Sequence, residues 1–544
     1  MSEARRETVL QGVGASAGLA LGRIAIQRAR HGGRRAVGGP AAERATLRAA
    51  MVTAAAELEA LAATAGDRAA ADILEFQVAL LDDEDLIAPM FERIAGGEPA
   101  DAAWRAGMDA EIAAYRAGGD AVLEARTSDL ADLRDRVLDA LSPHSDRTAG
   151  ANGEQAIYVA EDLTPSRFLE TDWTRFRGAA IKGGSASGHV ALLARARGTP
   201  LLIGLGDAFQ ALRDGAAALL DAERGQLVLD PSPATLGDAR RRLADRTARA
   251  AAHARFLGRP ALTAEGERIE VLINVDDPAL LEALDPEHTD GIGLTRTEFL
   301  FRGPDLPDEN RQYRAYAEVL RWAAGRPVII RTLDAGGDKP IAGLTPEGES
   351  NPFLGLRGLR LSLARPEVLE IQLRALARAA VGGGLKVMAP MVSVPAELEA
   401  FRRAFQEVVD RLRAEGVEAA LPPLGMMVEV PAAALRAGDF EADFLSIGSN
   451  DLIQYVMAAG RDIGAVADLY DPTSPAVLEL IGRVVEVGRQ RGIEVSLCGD
   501  MASDPNLVPR LLELGLRRIS VAPASLGAVK ATIAGWPPAG RRTR

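Results

Sequence analysis

From residue 263 onward, short apolar runs recur with helical stretches between them. The runs are RIEVLINV (268–275), DGIGL (290–294), PVIIRT (327–332), LKVMAP (385–390), LGMMVEV (424–430), FLSIG (444–448), EVSLCG (494–499) and RISVAP (518–523). Aliphatic and β-branched residues crowded into such runs read as strands buried on both faces. Eight of them alternating with helices over about 280 residues predict a (β/α)8 barrel, near the ~250 residues typical of that fold. A long doubly wound sheet is the alternative, and the count of eight favours the barrel.

The first half has a different rhythm. Residues 8–28 alternate glycine turns with short apolar runs and predict strands. Residues 41–141 are rich in Ala, Leu, Glu and Arg at helical spacing, so helices are expected near 41–65, 67–95, 100–117 and 119–141. Strand-like runs resume at AIYVAEDL (156–163), GAAIKGG (178–184), TPLLIGLG (199–206) and GQLVLD (225–230). This pattern predicts an α/β domain interrupted by a helical insertion. Residues 234–256 carry charge on several faces, which suits a linker helix better than a core helix.

Composition narrows the class. A chain of 544 residues is expected to form several domains. A net charge of -13 argues against a general nucleic-acid binder and permits a basic protein partner. With one cysteine there is no internal disulfide, and the sequence holds neither a signal-peptide pattern nor an apolar run long enough to cross a bilayer, so a cytoplasmic protein is expected.

The distinctive polar residues fall at or just past the C-terminal ends of the predicted barrel strands, the rim from which barrel active sites are built. Arg296 follows the second strand and Arg331 ends the third. Glu429 ends the fifth, Asn450 and Asp451 follow the sixth, and Cys498 ends the seventh. Taken singly, an arginine here is a surface ion pair, Asn450–Asp451 a helix cap and Cys498 a small buried hydrophobe. Glu429 in an apolar strand needs a counter-charge, which a metal or a buried arginine would supply. Far upstream, GGSASG (183–188) precedes His189 and the helical VALLARAR. The start of a helix offers free N–H donors suited to phosphate, and neutral imidazole is a competent nucleophile. A glycine turn with a capping histidine is the simpler alternative.

GGSASGHVALLAR is similar to the phosphohistidine motif shared by enzyme I of the phosphoenolpyruvate-dependent sugar phosphotransferase system, pyruvate phosphate dikinase and phosphoenolpyruvate synthase. In the usual motif His follows Ser directly, whereas Gly188 stands between Ser187 and His189 here. DGIGLTRTEFLF (290–301) closely resembles the phosphoenolpyruvate-binding signature, and LCGDMASD (497–504) the segment bearing the enzyme I proton donor. The resemblance to enzyme I runs from GVGASAGLALGR (12–23) to about residue 530, with Gly460 in place of the usual acidic residue before Arg461.

That resemblance implies a phosphohistidine α/β domain split as 1–28 and 148–232, a helical insertion at 29–147, a linker helix at 233–262 and a (β/α)8 barrel at 263–544. It implies phosphoenolpyruvate held by Arg296, Arg331, Asn450, Asp451 and Arg461, with Arg357 in support. Mg²⁺ would sit on Glu429 and Asp451. Cys498 would be the proton donor and His189 the phosphoryl acceptor, with Thr164 bonding to His189 or to its phosphate. Asp82, Asp83, Glu84 and Asp85 would face the basic carrier protein HPr, a solvated loop being the alternative. The resemblance also implies a homodimer through the barrel and a hinge near 234–262. A dikinase-like remnant acting on a small molecule and a regulatory phosphoenolpyruvate-binding protein are the competing functions.

Overall fold

The computed structural model describes residues 7–537 except 28–36, 65–67, 118–120, 143–154, 185–188, 302–305, 338, 342, 347 and 461–462. The chain forms two compact units, residues 1–246 and 247–544.

The first unit contains a mixed sheet of β1 (Thr8–Gln11), β2 (Val13–Ser16), β3 (Leu19–Ile26), β4 (Ala156–Ala160), β5 (Phe176–Ile181), β6 (Leu201–Ile203), β7 (Ala217–Asp221) and β8 (Gln226–Leu229). The strand order is β1-β8-β7-β3-β4-β5-β6-β2. Strands β3 to β6 are parallel and the rest pair antiparallel. Between β3 and β4 run the helices Pro40–Thr64, Arg68–Leu81, Glu84–Ala95, Ala100–Ala117 and Ala121–Leu141. Leu47, Met51, Ala54 and Leu58 recur at i, i+4, i+7 and i+11 along the first of these, and all four are buried. Trp104, fully buried in the same cluster, satisfies its indole by donating to the Arg134 carbonyl at 3.1 Å.

The single helix expected at 67–95 is two. Asp83 breaks it, because its carboxylate accepts from the N–H groups of Asp85 and Leu86 and caps a new helix. The apolar periodicity continues on both sides of this cap, which is why the pattern alone runs through it.

In the second unit β9 (Ala261–Leu262) leads into β10 (Arg268–Val275), β11 (Ile292–Thr295), β12 (Val328–Arg331), β13 (Leu385–Ala389), β14 (Leu424–Val428), β15 (Phe444–Gly448), β16 (Glu494–Cys498) and β17 (Arg518–Val521). Strands β10 to β17 are parallel to their neighbours, and β10 pairs with both β11 and β17, so the sheet closes into the predicted barrel. Each strand buries one face against the helices outside it. On helix Glu309–Ala323 the inward stripe is Gln312, Tyr316, Val319 and Ala323. Among the described residues no helix is long and apolar enough to cross a membrane.

A buried lysine ties the barrel's first and last segments together. Lys530, 3% exposed on helix Leu526–Gly535, donates to the carbonyls of Leu257, Arg259 and His288 at 2.8, 2.9 and 2.6 Å. Lys530→Met keeps the packing volume and orphans all three carbonyls. It is expected to lower the unfolding free energy by roughly 2–3 kcal/mol, measured by urea denaturation.

Candidate active site

The C-terminal end of the barrel encloses a cavity of about 70 Å³, lined by Leu294, Arg296, Arg331, Lys339, Met427, Glu429, Gly448, Asn450, Asp451, Cys498 and Gly499. Six residues named from sequence, Arg296, Arg331, Glu429, Asn450, Asp451 and Cys498, therefore meet at one place although about 200 positions separate the first from the last. Arg461 lies outside the described residues.

Charge organises the cavity. Asp334, fully buried, pairs with Arg331 at 3.0 Å, Arg357 at 3.2 Å and Lys339 at 3.3 Å. Desolvation alone would raise this carboxyl, but the neighbouring Arg331, Lys339 and Arg357 hold it well below the usual carboxylate range. Arg331 also donates to Glu298 Oε1 at 2.6 Å. Arg357 faces Asp451 Oδ1 at 3.5 Å and donates to the Tyr455 hydroxyl at 3.2 Å. Glu298, Asp334 and Lys339 were not singled out from sequence, although IIRTLDAGGDK puts two of them in a motif with Arg331. Arg296 pairs with Asp276 at 2.9 Å.

Glu429 is the exception in this network. It is 1% exposed; Oε1 accepts from the Met391 N–H at 2.6 Å, and Oε2 has no hydrogen-bond partner. Burial, with Asp451 and Asp334 nearby, pushes this carboxyl up to about 8. A buried carboxylate oxygen without a donor, next to a second carboxylate, fits a hard cation, which commonly takes one or two carboxylates and fills its other positions with substrate oxygens and water. Among the described residues there is no cluster of three or more His, Cys, Asp or Glu side chains that could hold a metal.

The helix Ser449–Met457 starts at the cavity with Gly448 as its N-cap and no side-chain cap. The sequence alternative of Asn450–Asp451 as caps is thereby overturned, because both lie inside the first turn. Asn450 bridges instead, donating to Asp500 Oδ2 at 3.2 Å and accepting the Asp500 N–H at 2.9 Å. The uncapped N–H groups of this turn suit an anion in the cavity. Gly499, at φ +124°, sits where a Cβ would come within 2.2 Å of Ser449 Oγ, so only glycine lets the two loops approach. Cys498 is 2% exposed, and burial pushes its thiol up, which favours the protonated form.

In the other unit His189 begins the helix His189–Ala196. Its Nδ1 lies 3.1 Å from Oδ1 of Asp129, which is 1% exposed on the inserted helix Ala121–Leu141. A carboxylate only accepts, so Nδ1 carries the proton in this pair. Of the two partners expected for Thr164, the His189 ring and its phosphate, the ring is not bonded in the unphosphorylated protein. The Thr164 hydroxyl is buried without a partner at the start of helix Pro165–Glu170, and its Oγ caps nothing. Asp129 carried no sequence signal, since it lies 60 positions from His189 within ordinary helix. The glycine-rich segment at 185–188, with the extra Gly188, lies outside the described residues.

The two carboxyls have opposite signatures in pH. A carboxyl raised in the folded state stabilises below its unfolded value and loses that contribution as pH rises through the folded value. For Glu429 the window is 4.5 to about 8. Metal-free protein is expected to lose thermal stability across it, and Glu429→Gln to flatten the loss and raise Tm at pH 8 by a few degrees. Asp334 is depressed, so its contribution is present above 3.8 and is lost as pH falls through the folded value. Asp334→Asn, leaving buried arginines uncompensated, is expected to cost roughly 3–5 kcal/mol at neutral pH in the same melts or in urea.

Three regions match the PEP-utilising enzymes: residues 11–126 the N-terminal domain, 152–225 the mobile domain and 250–536 the PEP-binding domain. A phosphoenolpyruvate-protein phosphotransferase of Bacillus sp. (strain S) is 36% identical over 97% of this chain and 93% of its own length. One from Streptomyces coelicolor is 38% identical over 97% of this chain and 94% of its own. One from Haloferax volcanii is 39% identical over 88% and 84%. The chain belongs to the PEP-utilising enzymes and, within them, to the phosphoenolpyruvate–protein phosphotransferase (enzyme I) family.

Proposed function

We propose that this enzyme transfers the phosphoryl group of phosphoenolpyruvate to its own His189, releasing pyruvate, and then to a histidine of an HPr-type carrier. The observation that carries the reading is the cavity itself, where the Arg296 and buried Arg331 guanidinium groups, a carboxylate with one unbonded oxygen and a lone thiol converge. Phosphoenolpyruvate carries up to three negative charges. Arg296 and Arg331, with Arg461, would hold its phosphate and carboxylate bidentately, and Arg357 and Lys339 would add positive field. Asn450 and the first turn of its helix would donate to the anion. Glu429 and Asp451 would hold Mg²⁺, which when bound supplies charge neutralisation for phosphoryl transfer.

His189 attacks phosphorus through Nε2, with Asp129 holding the proton on Nδ1 and stabilising the cation that forms. The enolate left behind takes a proton at its methylene carbon from Cys498. Because His189 must serve both phosphoenolpyruvate and the carrier, the segment 233–262 would act as a hinge. The acidic turn Asp82–Asp85 would meet the basic carrier. The enzyme would work in the cytoplasm as a homodimer through its barrel.

Pyruvate release from phosphoenolpyruvate with Mg²⁺ is expected to be catalytic only when an HPr-type acceptor is present, and to vanish in His189→Ala. Asp129→Asn is expected to slow phosphorylation of His189 by tenfold or more with little change in phosphoenolpyruvate affinity, as measured by rapid quench. Equal pyruvate release without acceptor, or by His189→Ala, would remove the reading in favour of a small-molecule acceptor.

A further inference from the structure

The barrel interior beneath the cavity is not wholly apolar. Leu294, Ile329, Met388, Met427 and Phe444 pack there with Cys498. Ser446 of β15 and Ser496 of β16 are 0% and 2% exposed. Inward positions of such barrels are dominated by bulky branched residues, so paired hydroxyls at this depth need a reason. Ser446 and Ser496 are register partners. Ser496 donates to Ser446 Oγ at 3.2 Å, and Ser446 Oγ lies 3.4 Å from Cys498 Sγ. The Cys498 S–H donates toward the Ile447 carbonyl at 3.7 Å. With the thiol hydrogen engaged there, the Ser446 hydrogen points at sulfur. The donors then run one way, from Ser496 to Ser446 to the sulfur at the cavity wall.

We propose that Ser446, backed by Ser496, is a positioning residue for Cys498: by donating to the sulfur it fixes it at the cavity wall, and it holds the thiolate that remains once the thiol proton has left the Ile447 carbonyl for the methylene carbon of the enolate. The inference rests on the reading of Cys498 as proton donor. In the step, the S–H bond breaks and a C–H bond forms at the methylene carbon. Sulfur keeps the S–H electron pair, and the enolate oxygen closes to the ketone as its double bond shifts. A buried thiolate without a donor is costly, whereas a hydroxyl donating to the anion forms a charge-assisted bond, polarised here by a second hydroxyl.

The test uses the reverse half of this step in the full-length protein: exchange of the pyruvate methyl hydrogens with D2O in the presence of Mg²⁺, followed by NMR. It is run beside phosphorylation of His189 from phosphoenolpyruvate. Ser446→Ala is expected to slow exchange about tenfold, the worth of one hydrogen bond to a charged group, and phosphorylation by clearly less. Ser446→Thr, which keeps the hydroxyl, is expected to restore most of the exchange rate. Cys498 is the only cysteine in the chain, so its infrared S–H band reports this site alone, and that band is expected to shift in Ser446→Ala. An unshifted band, or equal losses in exchange and phosphorylation, would overturn the proposal. A wild-type exchange rate in Ser446→Ala beside a lost rate in Cys498→Ala would remove the proposal and leave the proton donor standing. Undiminished exchange in Cys498→Ala would remove both.

Discussion

The barrel's chemistry depends on one buried carboxylate. Asp334 has no exposed surface and touches Arg331, Arg357 and Lys339. Two guanidinium groups at 3% and 1% exposure cannot be held charged in a low-dielectric interior without such a partner. Asp334 fixes their positions before any ligand arrives, so the positive field at the cavity is in place in advance. Arg331 is pushed even further toward its charged form by Glu298 and Asp334, despite its burial. Preorganised charge of this kind needs little rearrangement at the moment of reaction.

Glu429 balances that arrangement from the opposite side. Its unbonded oxygen and raised pKa favour the neutral acid. A cation at the Glu429–Asp451 pair would displace that proton. The same region thus contains a carboxylate held strongly ionised and another held back from ionisation, a separation of roles that burial and neighbouring charge alone produce. At His189 the logic recurs with one pair, in which the Asp129 carboxylate fixes the proton on Nδ1.

The strands of the barrel were readable because their apolar runs are short, regularly spaced and bounded by polar turns, and each observed strand from Arg268–Val275 to Arg518–Val521 falls within or within two residues of its run. The helix break at Asp83 was not readable, because Leu80, Leu81 and Leu86 keep the apolar pattern going across the cap. At the site, the rim rule brought forward residues that end strands, such as Arg331 and Cys498. It passed over Asp334, Glu298 and Ser446, whose importance lies in what they touch. An aspartate five positions from a lysine or a serine in a strand carries no mark of its role until the fold closes. For Thr164 a motif suggested a bond to His189 or to its phosphate, and in the unphosphorylated protein its hydroxyl is buried and unpaired.

The central claim is that phosphoenolpyruvate alone, without nucleotide, phosphorylates this chain on His189. Intact-mass analysis after mixing the protein with phosphoenolpyruvate and Mg²⁺ tests it directly, with His189→Ala as the paired control. The account predicts a gain of one acid-labile phosphate in the wild type and none in the control. An unmodified wild-type chain, or an equal gain in His189→Ala, would contradict it.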